Sequence, residues 1–181
     1  MFDDRPTLAS PRLVLAPLAE ADLAPLAAAM GDPLIWEQHP ARDRWRPEVA
    51  APYARWLLEA GGTLVARDPD GRVIGCSRFY AADDLPPGGI AIGYTFLVRD
   101  HWGGPTNFEM KRLMLAHLFR TADEAWFHIA ADNLRSQRAA EKLGAARRGR
   151  SALSVGGRPV AHLVYALTRP DWERTLAARA A

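Results

Sequence analysis

The stretch from Ile90 to Phe119 constrains the fold of this chain more than any other. Ile90–Val98 (I-A-I-G-Y-T-F-L-V) is β-branched, aromatic and aliphatic, as suits a strand with little exposed surface. It runs directly into R-D-H-W-G-G-P-T-N and then into F-E-M-K-R-L-M-L-A-H-L-F, where Met110, Leu113, Met114 and Phe119 supply the apolar face of a helix. The segment reads as strand, glycine loop and helix start, a unit that also occurs as a plain tight turn. The same junction leaves backbone N–H groups aimed outward at the positive end of the helix dipole, where an anion, usually a phosphate, binds. Gly103 and Gly104 permit close backbone approach. Asn107 reads as the N-cap of the helix, and Glu109 suits its first turn. The loop is neither a P-loop nor a dinucleotide fingerprint, because G-x-x-x-x-G-K-[ST] and G-x-G-x-x-G are both absent.

A short strand, Ala125–Ala131, leads to a second informative helix, N-L-R-S-Q-R-A-A-E-K-L-G-A (Asn133–Ala145). Asn133 is a good N-cap and Gly144 a good residue to close the helix. Ser136, Ala139, Ala140 and Leu143 share one face, so a hydroxyl lies in line with the buried stripe. Two readings stand side by side. Ser136 bonds back to a carbonyl or packs as a small residue, or its hydroxyl serves a site.

The chain of 181 residues is 49% hydrophobic and 24% charged, which fits one domain (1–181) with a sizeable core. Residues 1–11, with Pro6 and Pro11, read as a loose arm. A first strand is expected at Arg12–Pro17 and helices from about Asp22 and Glu48–Ala60. Strands are expected at Thr63–Arg67 and Val73–Tyr80 around a D-P-D-G turn, and at Ala146–Val155 and Val160–Thr168 around Gly156-Gly157. A terminal helix is expected at Asp171–Ala180. The fold class is therefore α+β (mixed α/β), with a mostly antiparallel central sheet flanked by helices. No apolar run reaches membrane-spanning length, and the acidic start M-F-D-D-R-P has no signal-like apolar region. The single Cys76 fits a reducing compartment, so a cytoplasmic location is the expectation. A net charge of +2 gives no reason to expect nucleic acid, and Arg147, Arg148 and Arg150 read as a solvated strand edge.

In this order the two segments resemble the acyl-CoA-binding core of the GNAT acetyltransferase superfamily. The W-G-G loop matches its pyrophosphate loop, and N-x-x-S-x-x-A-x-E-K-L-G-A matches its following helix. The closest likeness is to the branch that acetylates protein N-terminal amines, including those of ribosomal proteins, and R-L-V-L-A-P-L (Arg12–Leu18) is similar to that branch's first strand. The chain departs from the family pattern at three places. Pro105 replaces a second loop glycine and lacks an N–H. Ala140 stands where many relatives carry a thiolate-protonating Tyr, and Ala91 where many carry a Glu base.

The resemblance implies acetyl-CoA as acyl donor, no metal, and direct attack by a primary amine, either a protein N-terminus or a small molecule. It assigns cofactor contacts to Phe96, Leu97, Val98, Trp102, Gly103, Gly104, Thr106, Asn107, Asn133 and Ser136. Ser136 becomes the candidate acid, and Asn133 orients the helix start and the CoA arm. The connection between the first two helices lines the acceptor side, which makes Glu37 and His39 candidate bases. His128 reads as a hydrogen-bonded core histidine, and Asp83 and Asp84 as a solvated loop or, on the functional reading, as an attraction for a cationic acceptor at the cleft mouth. The missing Glu and Tyr motivate the alternative of a non-catalytic acyl-CoA-binding module. Acceptor, acyl-chain preference and oligomeric state, a homodimer included, stay open.

Overall fold

The computed structural model describes residues 2–180. One eight-stranded sheet runs in the order β1 (Leu8–Ala9), β2 (Val14–Pro17), β3 (Thr63–Arg67), β4 (Val73–Tyr80), β5 (Ile90–Leu97), β6 (Glu124–Ala130), β8 (Arg158–Thr168), β7 (Ala146–Val155). Every neighbouring pair is antiparallel except β5 with β6. Parallel neighbours need a crossover, and α3 (Thr106–Leu118) supplies it. The mixed, largely antiparallel class expected from the sequence is what the chain adopts.

Helices cover both faces. On one side α3 buries Met110, Met114, Leu115 and Leu118 beneath Phe79, Ile92, Phe127 and Leu167, with Trp172 of α5 (Arg169–Ala180) alongside. On the other, α1 (Leu23–Ala29) and α2 (Pro47–Glu59) pack Leu26, Ala54 and Leu57 against Val65, Cys76 and Phe96. Pro25 and Pro47 sit in first turns, where no N–H is needed. The D-P-D-G turn closes as expected, with Asp68 N–H donating to Arg72 O at 3.0 Å.

Three expectations are corrected. The N-terminal arm is not loose. Phe2 meets Phe79 edge-on at 5.1 Å, Asp3 O bonds His117 at 2.7 Å, and Leu8–Ala9 adds an edge strand. The prolines fix φ without preventing this, because an edge strand has N–H groups to spare. The first strand proper starts at Val14, two residues later than expected. Pro105 (φ −77°, ψ −12°), not Asn107, caps α3, since the proline ring presets a near-helical φ. Asn107 lies inside the first turn.

Strand β5 departs from regularity where the site forms. It pairs with β6 only at Ile90↔Ala125 and Ala91↔Trp126, and beyond Ala91 the two strands part. Against β4 the register shifts between Cys76↔Phe96 and Arg78↔Gly93, so two residues of β5, Tyr94 and Thr95, oppose Ser77 alone. This is a β-bulge, with Tyr94 at φ 52°. Tyr94 turns toward Trp56 of α2, while Thr95 turns to the α3 side, where the buried Lys111 Nζ donates to Thr95 Oγ1 (2.7 Å) and Ser77 Oγ (2.9 Å). Among the described residues no carboxylate joins them, and burial pulls the Lys111 amine down to about 7.

Candidate functional site

Three backbone features meet at the carboxyl end of β5. The first is the loop. Glu109 is the first α3 residue whose N–H finds a partner, Pro105 O at 2.9 Å. Among the described residues, the amides of Gly103, Gly104, Thr106, Asn107 and Phe108 donate to no protein acceptor. A Cβ added at Gly103 (φ 71°) or Gly104 would meet nothing within 4 Å, so the loop borders open space at both glycines. Pro105 removes one donor, and the helix N-terminus supplies the rest. The second feature is the gap between β5 and β6, where backbone polar groups of β5 have no strand partner. The third is the start of α4 (Leu134–Glu141), where Asn133 Oδ1 accepts from Ser136 N–H at 3.1 Å, as its N-cap assignment requires.

Side chains tie these features together. The Trp102 indole donates to Leu97 O at 2.8 Å and pins the loop to the end of β5, which occupies one carbonyl of that strand. The Arg135 guanidinium lies 4.0 Å over the Trp102 ring and 3.6 Å from Glu37. Arg135 N–H donates to Gln38 Oε1 at 3.0 Å. The connection before α2, the loop and the start of α4 thus converge on Arg135. His101 contacts Thr106 Oγ1 at 3.1 Å, and Gln137 donates to Ala131 O at 2.8 Å, fastening α4 to the end of β6.

Among the expected site residues, Asn133, Ser136, Trp102, Gly103, Gly104, Thr106 and Asn107 line this region. Ser136 is part-buried, and among the described residues its hydroxyl has no protein partner, so the back-bonded reading finds no support. Phe96 and Leu97 are buried, Phe96 against the Trp36 ring at 5.4 Å, and the Val98 amide is spent on Ile74 O. Glu37 is exposed and paired with Arg135. His39 turns inward. Its Nδ1 accepts from Ala41 N–H at 2.9 Å, and its Nε2 lies 3.1 Å from the guanidinium Nη1 of Arg44. Burial and that guanidinium pull the imidazole down to about 3. A base so weak removes few protons from an ammonium. Ala91 and Ala140 are buried and supply no titratable group. The Cys76 thiol is buried, pushed up to about 12, and no nucleophile at neutral pH.

Sequence reasoning missed Arg135, Gln137 and Lys111, and passed over Tyr80. Arg135 and Gln137 carried no motif. Lys111 stood between Met110 and Met114 on the apolar face of its helix, a signal that was readable.

The geometry agrees with the comparisons. The family model for the acetyltransferase (GNAT) domain matches residues 12–146. The chain belongs to the GNAT acetyltransferase family, whose acetyl donor is acetyl-CoA. Among curated proteins, none matches it. A GCN5-related N-acetyltransferase from Brucella melitensis superposes with a TM-score of 0.79 at 19% identity, over 98% of this chain and 85% of that one. RimJ from Mycobacterium smegmatis, in complex with CoA-disulfide, gives 0.66 at 18% over 96% and 93%. The ribosomal-protein-S5-alanine acetyltransferase from Vibrio fischeri gives 0.60 at 16% over 92% and 98%. At these identities the three structures speak for the fold. Among the described residues, no group of three His, Cys, Asp or Glu is arranged to hold a metal ion, and no helix is long and apolar enough to cross a membrane.

Proposed function

We propose that this chain is an N-acetyltransferase that moves the acetyl group of acetyl-CoA to a primary amine, on a protein N-terminus or a small molecule, by direct attack. The observation that carries the reading is the bank of free amides from Gly103 to Phe108 beside the parted β5 and β6. The amides take the pyrophosphate. The pantetheine arm lies along β5 as an added strand, past Phe96, Leu97 and Val98. Asn133 sets the start of α4, Trp102 and Arg135 hold the loop against it, and Ser136 hands a proton to the leaving thiolate. Glu37 acts on Arg135 as a positioning residue on the acceptor side. The whole chain works as one domain, a soluble cytoplasmic enzyme without a metal.

Titration calorimetry with acetyl-CoA tests the cofactor half. Gly104→Glu sets a carboxylate where the diphosphate belongs, in space that is open. Its affinity for acetyl-CoA falls by about tenfold or more with an unchanged Tm. A wild-type protein that ignores acetyl-CoA at about 1 mM contradicts the proposal. The lack of a base at Ala91 and of a Tyr at Ala140 favours a second reading, a CoA-binding module without turnover. Release of free CoA that requires both acetyl-CoA and an amine rejects it.

A further inference from the structure

A hydrogen-bonded chain crosses the opening between β5 and β6 on the face covered by α1 and α2. Tyr80, at the end of β4, lays its ring over Gly93, where an added Cβ would lie 2.9 Å from Cε1 and 3.2 Å from the hydroxyl. Only glycine at 93 lets the phenol reach across β5. Its hydroxyl meets His128 Nδ1 of β6 at 2.9 Å. On the far side, His128 Nε2 lies 3.1 Å from Asp84 Oδ2. The carboxylate fixes the ring proton on Nε2, so Nδ1 accepts from Tyr80. The side chain of His128 is 1% exposed and that of Asp84 33% exposed, so the chain runs from the strand opening to water.

We propose that Tyr80, His128 and Asp84 form the proton relay that deprotonates the acceptor amine. This rests on the transferase reading and supplies the base that Ala91 does not. The amine arrives as an ammonium. Its proton passes to the Tyr80 oxygen as the Tyr80 proton moves to His128 Nδ1, and Asp84 stabilises the imidazolium. The free amine attacks the thioester carbonyl, the C–N bond forms and the C–S bond breaks. The proton that nitrogen sheds on becoming an amide goes to the thiolate through Ser136. The relay proton leaves by the Asp84 end, so one proton reaches water per turnover, as the overall reaction requires.

The neighbours suit this. Arg78 of β4 lies 5.7 Å over the Tyr80 ring, and Tyr94 of β5 stands edge-on to it at 5.1 Å. His162 of β8 is near enough to His128 to feel its charge; its Nδ1 bonds Val160 O at 2.8 Å, and burial lowers its pKa, so it stays neutral beside the relay. Burial would raise the Asp84 carboxyl, but the nearby Ser151 hydroxyl and the His128 ring hold it below the usual carboxylate range.

Tyr80→Phe and His128→Gln are assayed for acetyl transfer to a peptide with a free N-terminal alanine, or to n-hexylamine if that is the better acceptor, from pH 6 to 10. Both lower kcat/KM at pH 7 by about 10²-fold and keep acetyl-CoA affinity within about threefold. Their rates then climb with pH toward the acceptor's own pKa, whereas the wild type levels off earlier. Nitrogen NMR of the wild-type histidine rings finds His128 protonated on Nε2 and bare on Nδ1. Wild-type rates and pH profiles in both variants, or a His128 ring protonated on Nδ1, overturn the relay. Loss of acetyl-CoA binding by the wild type overturns the transferase reading instead.

Discussion

Ser136 shows how one position in a helix is decided by its partners. Its spacing placed it on the inward face of α4, and that much was legible. Whether the hydroxyl served the backbone or a ligand was not, because both uses produce the same periodicity. Among the described residues the hydroxyl has no protein partner, three residues after the Asn133 cap that accepts from the Ser136 amide. Ser136→Ala removes one oxygen from a site that loses no internal bond. Steady-state kinetics therefore gives a kcat lower by about 10²-fold with Tm and acetyl-CoA affinity little changed. An unchanged kcat removes Ser136 from the chemistry. His39 went the other way. A histidine in the loop before α2 is a fair candidate base by type, but its burial beside Arg44 depends on how that loop folds back, and no local pattern carries that.

At the scale of elements, strand and helix positions were legible because period and turn chemistry agree along most of the chain. The hairpin at Gly156-Gly157 and the β3–β4 hairpin are examples. Irregularity was harder to read. A glycine such as Gly93 often marks a bulge, yet the left-handed residue is Tyr94, and its neighbour Thr95 is held by the Lys111 amine. A lysine in a helix is ordinarily solvated, so one on the apolar face signals burial, while its partners Thr95 and Ser77 are set by tertiary packing. That burial has a measurable consequence. The folded protein sheds the Lys111 proton near pH 7, while the unfolded chain holds it to about 10.5. Between those values the unfolded state binds more protons, so this group's contribution to stability rises with pH. The stability difference between wild type and Lys111→Met, followed by denaturant melts from pH 7 to 10, moves in favour of the wild type as pH increases. Parallel curves contradict a buried, titrating lysine. The N-terminal arm teaches the same lesson, since Phe2 packs on Phe79 and His117, which lie far along the chain.

For the whole molecule, the largely antiparallel class and the family were legible in two segments read in sequence. The strand order was not, and the parallel β5–β6 pair joined by α3 is what the structure adds. The proton relay was not legible. Tyr80, Asp84 and His128 come from two strands and a loop, 48 residues apart at the extremes, and meet only because β4, β5 and β6 lie side by side and Gly93 leaves room. Residue-resolved amide hydrogen exchange, with and without acetyl-CoA, tests the central claim most directly. Gly103, Gly104, Thr106, Asn107 and Phe108 exchange fast in the free protein and become protected with the ligand, together with amides of β5 beyond Ala91. Amides already protected in the free protein, or protection that appears elsewhere and spares this loop, would contradict the account.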